Sequence, residues 1–333
     1  MRKKLLLLLM LVLVLALSAG CPQQQAPDPA PDQGQQQPQQ PQQADIQITP
    51  LVEQWAESGH ANIQLYPAGR DNCIICHDGG AFANEQSALA DLGREFPVSI
   101  DCRACHTGQG TELMESGTAT IATQDNVEGG LGAQCMSCHH ERKTPDINEL
   151  PAPHYSSQAG LYTGTGGAQI EGFSYGSSPH TGIENTCVGC HMTETEEGFR
   201  SHTFAVEDPQ AACSQCHGDV TDSNLQAKND YDGDGNTQGF QDEVQGLITL
   251  VESAIPEALE GGTVEKSGGG YVFKNSAGEE ITPPEEVYLA QFNLSLITYD
   301  GSLGVHNPTY AVQLLQQSYK ALTGEDVPNA SIR

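Results

Sequence analysis

The sequence of 333 residues predicts a mainly α-helical fold with extensive loops and a small β-hairpin in its C-terminal third. Three observations lead to this prediction. A five-residue pattern, Cys-x-x-Cys-His, recurs five times, and each copy is short enough to form one helical turn. The stretches between the copies are rich in Gly, Pro and Asn, which favours loops and short helices. Beyond residue 225, where the sequence has no Cys, apolar residues recur at helical spacing.

Each copy of this pattern carries the attachment signature of c-type haem, in which two thiols bond to the porphyrin and the histidine is the proximal iron ligand. Paired cysteines also bind zinc or form disulfides, but neither chemistry needs a histidine directly after the second cysteine. The sequence therefore predicts five covalently bound haem c groups. Because five haems would share a chain of 333 residues, each haem has little protein around it. We therefore expect a multihaem cytochrome c fold in which the haems form much of the core. In chain order, the first to fifth motifs are Cys73/Cys76/His77, Cys102/Cys105/His106, Cys135/Cys138/His139, Cys187/Cys190/His191 and Cys213/Cys216/His217.

The N-terminal segment predicts an exported lipoprotein. Residues 2–4 are basic and residues 5–17 are almost all aliphatic, a length typical of a signal peptide rather than a membrane span. Small residues precede Cys21 and resemble a bacterial lipoprotein box, which implies cleavage before Cys21 and lipidation of its thiol. An ordinary signal peptide followed by a spare cysteine is the alternative. The predicted protein is thus anchored to a membrane and faces the periplasm or the cell exterior.

The composition divides the chain into four predicted segments. Residues 1–20 form the signal peptide, and residues 21–48 form a disordered Gln- and Pro-rich tether that has little apolar surface to bury. Residues 49–225 form a five-haem domain, which begins with a helix near Thr49 and Pro50. Residues 226–333 form a helical C-terminal buttress with an acidic loop.

The formal net charge is −29. Nucleic acid is therefore excluded as a partner, because a phosphate backbone requires a basic surface. An acidic exported surface steers redox partner proteins that carry positive charge, and a surface that serves only solubility is the alternative.

Histidines outside the motifs are the candidate distal ligands of the irons. Five irons need at most five distal ligands, so ligation of every haem by two histidines leaves one histidine over. Such ligation closes both faces of the iron and favours electron transfer over substrate binding. The six candidates are His60, His140, His154, His180, His202 and His306.

The sequence around three of these histidines resembles the haem core of the pentahaem cytochrome c nitrite reductases. His180 lies seven residues before Cys187 in Ser-Pro-His, His202 precedes the fifth motif in Ser-His-Thr-Phe, and His306 lies in Val-His-Asn-Pro before a C-terminal helix. Met192 directly follows the fourth motif. The resemblance covers about residues 60–323 and implies which distal histidine serves each motif. His306 would serve the fourth motif, His180 the fifth, His202 the second and His60 the third, leaving His140 or His154 for the first.

These features predict an electron carrier that relays electrons through closely packed haems, with no catalytic residues assigned. A small nitrite or hydroxylamine reductase is the alternative, since the resemblance is to such enzymes. The first motif ends in His77, where the reductases usually have lysine, so the resemblance supports the haem architecture more than the activity. A subunit of an extracellular cytochrome filament is a third hypothesis, which the lipid anchor disfavours.

The C-terminal third contains an acidic loop that resembles a calcium-binding loop, because oxygen-bearing side chains alternate around a glycine turn. A solvated acidic turn without an ion is the alternative. The predicted calcium ligands are Asp230, Asp232, Asp234, Asn236 and Glu243.

Regular elements are also predicted in this third. Helices are expected from Phe240 to Ile255, from Pro284 to Tyr299 and after Asn307, which would cap a last helix that ends at Gly324. A small hairpin is expected within residues 263–282, with one strand at 271–273, a turn from Asn275 to Gly278 and a returning strand from Glu279 to Thr282.

Overall fold

The computed structural model describes residues 48–333, and about 44% of these residues are helical. The described chain is therefore helical with a few small sheets, as predicted. The predicted signal peptide, Cys21 and the predicted tether up to residue 47 lie outside the described residues, and Ile48, the last residue of that tether, begins the first helix. Among residues 48–333, no helix is both long and apolar enough to span a bilayer.

Short helices carry the part of the chain that contains the five motifs. The first helix begins at Ile48, two residues before Pro50, and the interruptions between helices follow the abundant Gly and Pro. The α-helices are α1 (Ile48–Glu57), α2 (Leu65–Ala68), α3 (Ile74–His77), α4 (Gly79–Ala83), α5 (Cys102–His106), α6 (Gln109–Ser116), α7 (Ala133–Met136), α8 (Gln158–Thr163), α9 (Cys187–His191) and α10 (Pro209–His217). Single 3₁₀ turns span Gly59–Ala61, Leu89–Leu92, Gly130–Gly132 and Pro179–Gly182.

A two-stranded antiparallel sheet lies between α6 and α7. Its strands are β1 (Thr118–Ile121) and β2 (Gln124–Glu128). The sequence did not predict this hairpin, because β2 is mostly polar and buries only Val127. Ala119, Ile121 and Val127 pack with α7 in a small apolar cluster under the third motif.

The predicted C-terminal hairpin is part of a three-stranded antiparallel sheet. Its strands are β3 (Thr263–Ser267), β4 (Gly270–Lys274) and β5 (Glu280–Ile281), in the order β3-β4-β5. The β4–β5 turn was predicted. The β3–β4 turn at Gly268 and Gly269 was not, although both glycines have positive φ, as a tight hairpin turn requires.

Three long helices form the main apolar core of the described chain. They are α11 (Phe240–Ala258), α12 (Glu285–Asp300) and α13 (Pro308–Thr323), close to the predicted ranges. Asn307 caps α13 by accepting a hydrogen bond from the Tyr310 N–H at 3.4 Å, and Gly324 ends it at φ 78°. The core also includes residues of β4 and α8.

The part of the chain that contains the motifs contributes little to this core. Large apolar side chains there are left exposed, including Leu65 (71%), Tyr66 (76%) and Phe96 (72%). The main core is instead drawn almost entirely from residues 227–327. The protein therefore combines a conventionally packed C-terminal part with a part that holds its motifs in loops and single turns.

Candidate functional site

All five motifs are built on a helical turn. The first, second, fourth and fifth lie on or end in α3, α5, α9 and α10. The third begins in α7 and continues as a turn, but the His139 N–H still donates to the Cys135 carbonyl at 2.9 Å. One turn places both thiols and the imidazole of each motif on neighbouring positions, which is the donor set that haem c requires.

Each motif histidine lies opposite one histidine from outside the motifs. The separation of the ring centres is nearly constant, between 6.0 and 6.3 Å. The pairs are His77 with His154 at 6.1 Å, His106 with His202 at 6.3 Å, His139 with His60 at 6.1 Å, His191 with His306 at 6.1 Å, and His217 with His180 at 6.0 Å. Four pairs match those that the resemblance implies, and His154 takes the place left open at the first motif.

This separation fits two imidazoles on opposite sides of one metal. An imidazole nitrogen lies about 2 Å from the metal it binds, and the ring centre lies about 1 Å behind that nitrogen. Two rings that share a metal therefore have centres about 6 Å apart. The residues present thus fit five haem groups that each have two axial histidines.

Hydrogen bonds at Nδ1 set the orientation of several of these rings. His180, His191 and His202 each face a backbone carbonyl through Nδ1, at 2.7, 3.0 and 2.8 Å. A carbonyl only accepts, so Nδ1 carries the proton and Nε2 keeps a free lone pair for a metal. His154 Nδ1 lies 2.9 Å from the Ser156 hydroxyl, which donates its own proton to the Cys138 carbonyl at 3.3 Å and therefore accepts from Nδ1.

His140 has the opposite arrangement. Its Nδ1 accepts hydrogen bonds from the backbone N–H groups of Ala122 and Arg142, both at 3.2 Å. The proton of the neutral ring therefore lies on Nε2, the nitrogen that a ligand would need free. His140 is also not one of the paired histidines. These contacts favour His154 over His140 at the first motif.

Burial lowers the pKa of several of these imidazoles and so favours the neutral form, which binds a metal. The pKa of His60 and that of His154 are both lowered to about 4, first by burial and then by nearby groups that can carry positive charge. His306 differs from them. Burial lowers its pKa, but the carboxylate of Asp300, whose Oδ1 lies 2.5 Å from Nδ1, outweighs burial and raises it overall.

The thiols of different motifs lie close together around the third motif. Cys138 lies within hydrogen-bonding reach of Cys76 of the first motif, and Cys135 lies within reach of Cys187 of the fourth. Cys105 of the second motif is near enough to raise the pKa of Cys135, after the larger effects of Cys187 and burial. The third motif is therefore the junction of the array. The fifth motif adjoins the fourth, where Cys213 raises the pKa of Cys190 after the larger effect of burial.

Two neighbours hold these histidines in place, Phe204 and Asn307, and the sequence predicted this role for neither. The Phe204 ring packs edge-on against His60 and His202, with centroids 4.7 and 5.8 Å apart, and its carbonyl accepts from His191. The buried Asn307 amide accepts from the Ser178 N–H at 2.9 Å and so joins the segments that carry His180 and His306. Phe204 lies two positions after His202 and Asn307 directly follows His306 in the sequence. This closeness to proposed ligands is the signal that could have identified both residues.

The acidic loop brings together three of the five predicted calcium ligands. Carboxylate oxygens of Asp230, Asp232 and Glu243 lie within 4.8 Å of one another. Glu243 is fully buried and accepts from the Tyr231 and Gln238 N–H groups at 2.6 and 2.7 Å.

The other two predicted ligands lie outside that cluster. Asp234 accepts from the backbone N–H of Asn236 at 2.7 Å, and both residues are exposed. Calcium binding therefore stays a prediction, now centred on the three clustered carboxylates.

Comparison with known proteins finds similarity to cytochromes. The family model described as Cytochrome c552 matches residues 169–327, which contain the last two motifs and the three long helices. The C-type polyheme cytochrome OmcB of Geobacter sulfurreducens, in two strains, is 24% identical over 336 residues, covering 82% of this chain and 44% of OmcB. The C-type polyheme cytochrome OmcC of the same species is 23% identical, covering 78% of this chain and 41% of OmcC.

A solved structure, described as the outer cell wall cytochrome OcwA, shares the fold. Its TM-score is 0.56 at 21% identity, and the match covers 82% of this chain and 50% of that chain. The chain spans half or less of the length of these relatives. Together with the five motifs, the matches support a multihaem c-type cytochrome.

Proposed function

We propose that this protein is an electron carrier with five covalently bound haem c groups, each ligated by two histidines. The observation that carries the proposal is the set of five histidine pairs at 6.0–6.3 Å. Haem c supplies an iron that takes up one electron on reduction and gives it back on oxidation. Two imidazoles on one iron leave no position for a substrate, so the paired histidines restrict the site to electron transfer.

The proposed relay branches at the third motif. The contacts of Cys138 with Cys76, and of Cys135 with Cys187, support short paths from the third motif to the first and the fourth. Cys102 of the second motif and Cys216 of the fifth are exposed. The second and fifth motifs are thus the proposed points at which electrons enter and leave. Redox partner proteins with positively charged docking surfaces suit the strongly acidic chain.

We further propose that the protein is exported and held at a membrane by lipid on Cys21. This part of the proposal rests on the sequence before Cys21, which lies outside the described residues. Replacing Cys21 by Ser is expected to release the protein into the soluble fraction. Wild-type protein that is already soluble, with an N-terminus other than residue 21, would contradict the anchor.

A nitrite or hydroxylamine reductase is the second candidate. The observation in its favour is that His140 and Arg142, neither of them a proposed iron ligand, lie beside Cys76 of the first motif. The Arg142 Nε is buried without a hydrogen-bond partner in the described chain. An imidazole that is not a proposed iron ligand is suited to proton transfer, and a guanidinium is suited to anion binding.

Two measurements on the haem-loaded protein test the proposal. Mass spectrometry is expected to find five haem additions that survive acid–acetone extraction. The dithionite-reduced protein, freed of excess reductant, is expected to be oxidised by ferricyanide but not by nitrite or hydroxylamine beyond the rate of a protein-free blank. Fewer than four haems, or rapid oxidation by nitrite, would contradict the carrier proposal, and the latter would favour the reductase.

A further inference from the structure

Asp300 is a buried carboxylate directly behind one proposed axial ligand. It is the last residue of α12 and is 3% exposed. Its Oδ1 accepts a hydrogen bond from His306 Nδ1 at 2.5 Å. Its Oδ2 accepts from the Ser302 N–H at 3.0 Å and from the Ser302 hydroxyl.

Five of the other proposed axial ligands have a partner at Nδ1 in the described chain, and all five partners are neutral. Backbone carbonyls face His180, His191 and His202, the Gln158 amide oxygen faces His139, and the Ser156 hydroxyl faces His154. Among the described axial histidines with a partner at Nδ1, only His306 faces a carboxylate. The fourth motif is therefore electrostatically distinct from the rest of the array.

We propose that Asp300 is a positioning residue that acts through His306 to lower the reduction potential of the haem at the fourth motif. The inference rests on the proposed ligation of that haem by His191 and His306. A carboxylate that accepts the Nδ1 proton makes the imidazole a stronger electron donor. A stronger donor stabilises the ferric iron relative to the ferrous iron, because the ferric form has one more positive charge.

The surroundings of Asp300 increase this effect. The carboxylate is excluded from water, so its charge is weakly screened. The backbone of Asp300 is also fixed, since the Gln158 amide donates to its carbonyl at 2.9 Å. The same Gln158 side chain accepts from His139 at 3.3 Å. Hydrogen bonds thus connect the third and fourth motifs, the two that the proposed relay must cross in succession.

Three variants of the haem-loaded protein test the inference. Asp300→Asn keeps the shape and an acceptor oxygen but removes the charge. Ser302→Ala removes a hydrogen bond that withdraws charge from Asp300, so it is expected to act in the opposite direction. Glu184→Gln is the matched control, because this exposed carboxylate precedes Cys187 by three residues and lies outside the hydrogen-bond network of His306.

The readout is a redox titration followed by electron paramagnetic resonance. The angle between the two imidazole planes influences the signal of a low-spin haem, and it is 40° for the His191–His306 pair. The other four pairs cross at 18°, 51°, 67° and 82°, so the signal of the fourth haem is expected to be separable.

Asp300→Asn is expected to raise the ratio of reduced to oxidised fourth haem at least tenfold at a fixed potential. For a one-electron couple, a tenfold change corresponds to a rise of about 59 mV in the reduction potential of that haem. Ser302→Ala is expected to lower that ratio, and Glu184→Gln to change it less than about twofold.

Two results would overturn the inference. One is a shift in the potential of the fourth haem in Asp300→Asn that is no larger than the shift in Glu184→Gln. The other is a rise in the ratio of reduced to oxidised fourth haem in Ser302→Ala. If Asp300→Asn does not fold, the direction of the change in Ser302→Ala decides the question. A fourth haem that is high-spin in the unmodified protein would instead contradict the proposed ligation, whatever the potentials are.

Discussion

The choice of His154 rather than His140 at the first motif is open to a direct test, because the two residues can be replaced separately. The centre of the His154 ring lies 6.1 Å from that of His77. His154→Ala is therefore expected to open one iron of five. One fifth of the low-spin haem should become high-spin, and carbon monoxide binding to the reduced protein should rise from zero to one per chain.

His140→Ala is the matched control in this experiment. It removes the acceptor of two backbone hydrogen bonds, from Ala122 and Arg142, and should cost about 1–3 kcal/mol of unfolding free energy. It should leave every haem low-spin and unable to bind carbon monoxide. Optical titration of the reduced proteins with carbon monoxide measures the stoichiometry. A binding site that appears in His140→Ala and not in His154→Ala would refute the assignment.

Three further predictions concern the framework around the haems. Asn307→Ala should lower the unfolding free energy by about 3 kcal/mol, because it deletes a helix cap and leaves the Ser178 N–H unpaired, and urea denaturation of the haem-loaded protein measures this loss. An unchanged midpoint would contradict that role. Cys190→Ala should leave the fourth haem with one thioether instead of two, seen as a shift of its optical band, and an unaltered spectrum would argue against attachment there. A calcium chelator should lower the melting temperature of the wild type but not of Asp232→Ala, and equal melting curves with and without chelator would leave a surface turn without an ion.

The sequence predicts the elements whose signals are local. The five motif turns, the cap at Asn307 and the end at Gly324 each depend on residues within a few positions, and the structure has them where the pattern indicates. The β1–β2 hairpin and strand β3 were not predicted, since these segments are short and bury few side chains. Their stability comes from neighbours distant in sequence.

In the candidate site, too, only the features with a local sequence signal could be predicted. The motifs predict the haem-binding cysteines and the proximal histidines, but the predicted pairing of distal histidines came from a resemblance and not from spacing. The sequence did not decide between His140 and His154 as the distal ligand at the first motif. What separates them is a set of backbone contacts at Nδ1, which no local pattern encodes. Asp300 was not singled out for a similar reason, because its role depends on the turn that folds it back onto His306.

All five irons of the proposed carrier are closed on both faces. Electron paramagnetic resonance of the fully oxidised, unmodified protein with five haems is the sharpest test of this closure. The histidine pairs at 6.0–6.3 Å predict five low-spin signals and no high-spin signal near neutral pH. A high-spin signal that integrates to one haem per chain would contradict this closure, because it would mean that one iron lacks its second histidine.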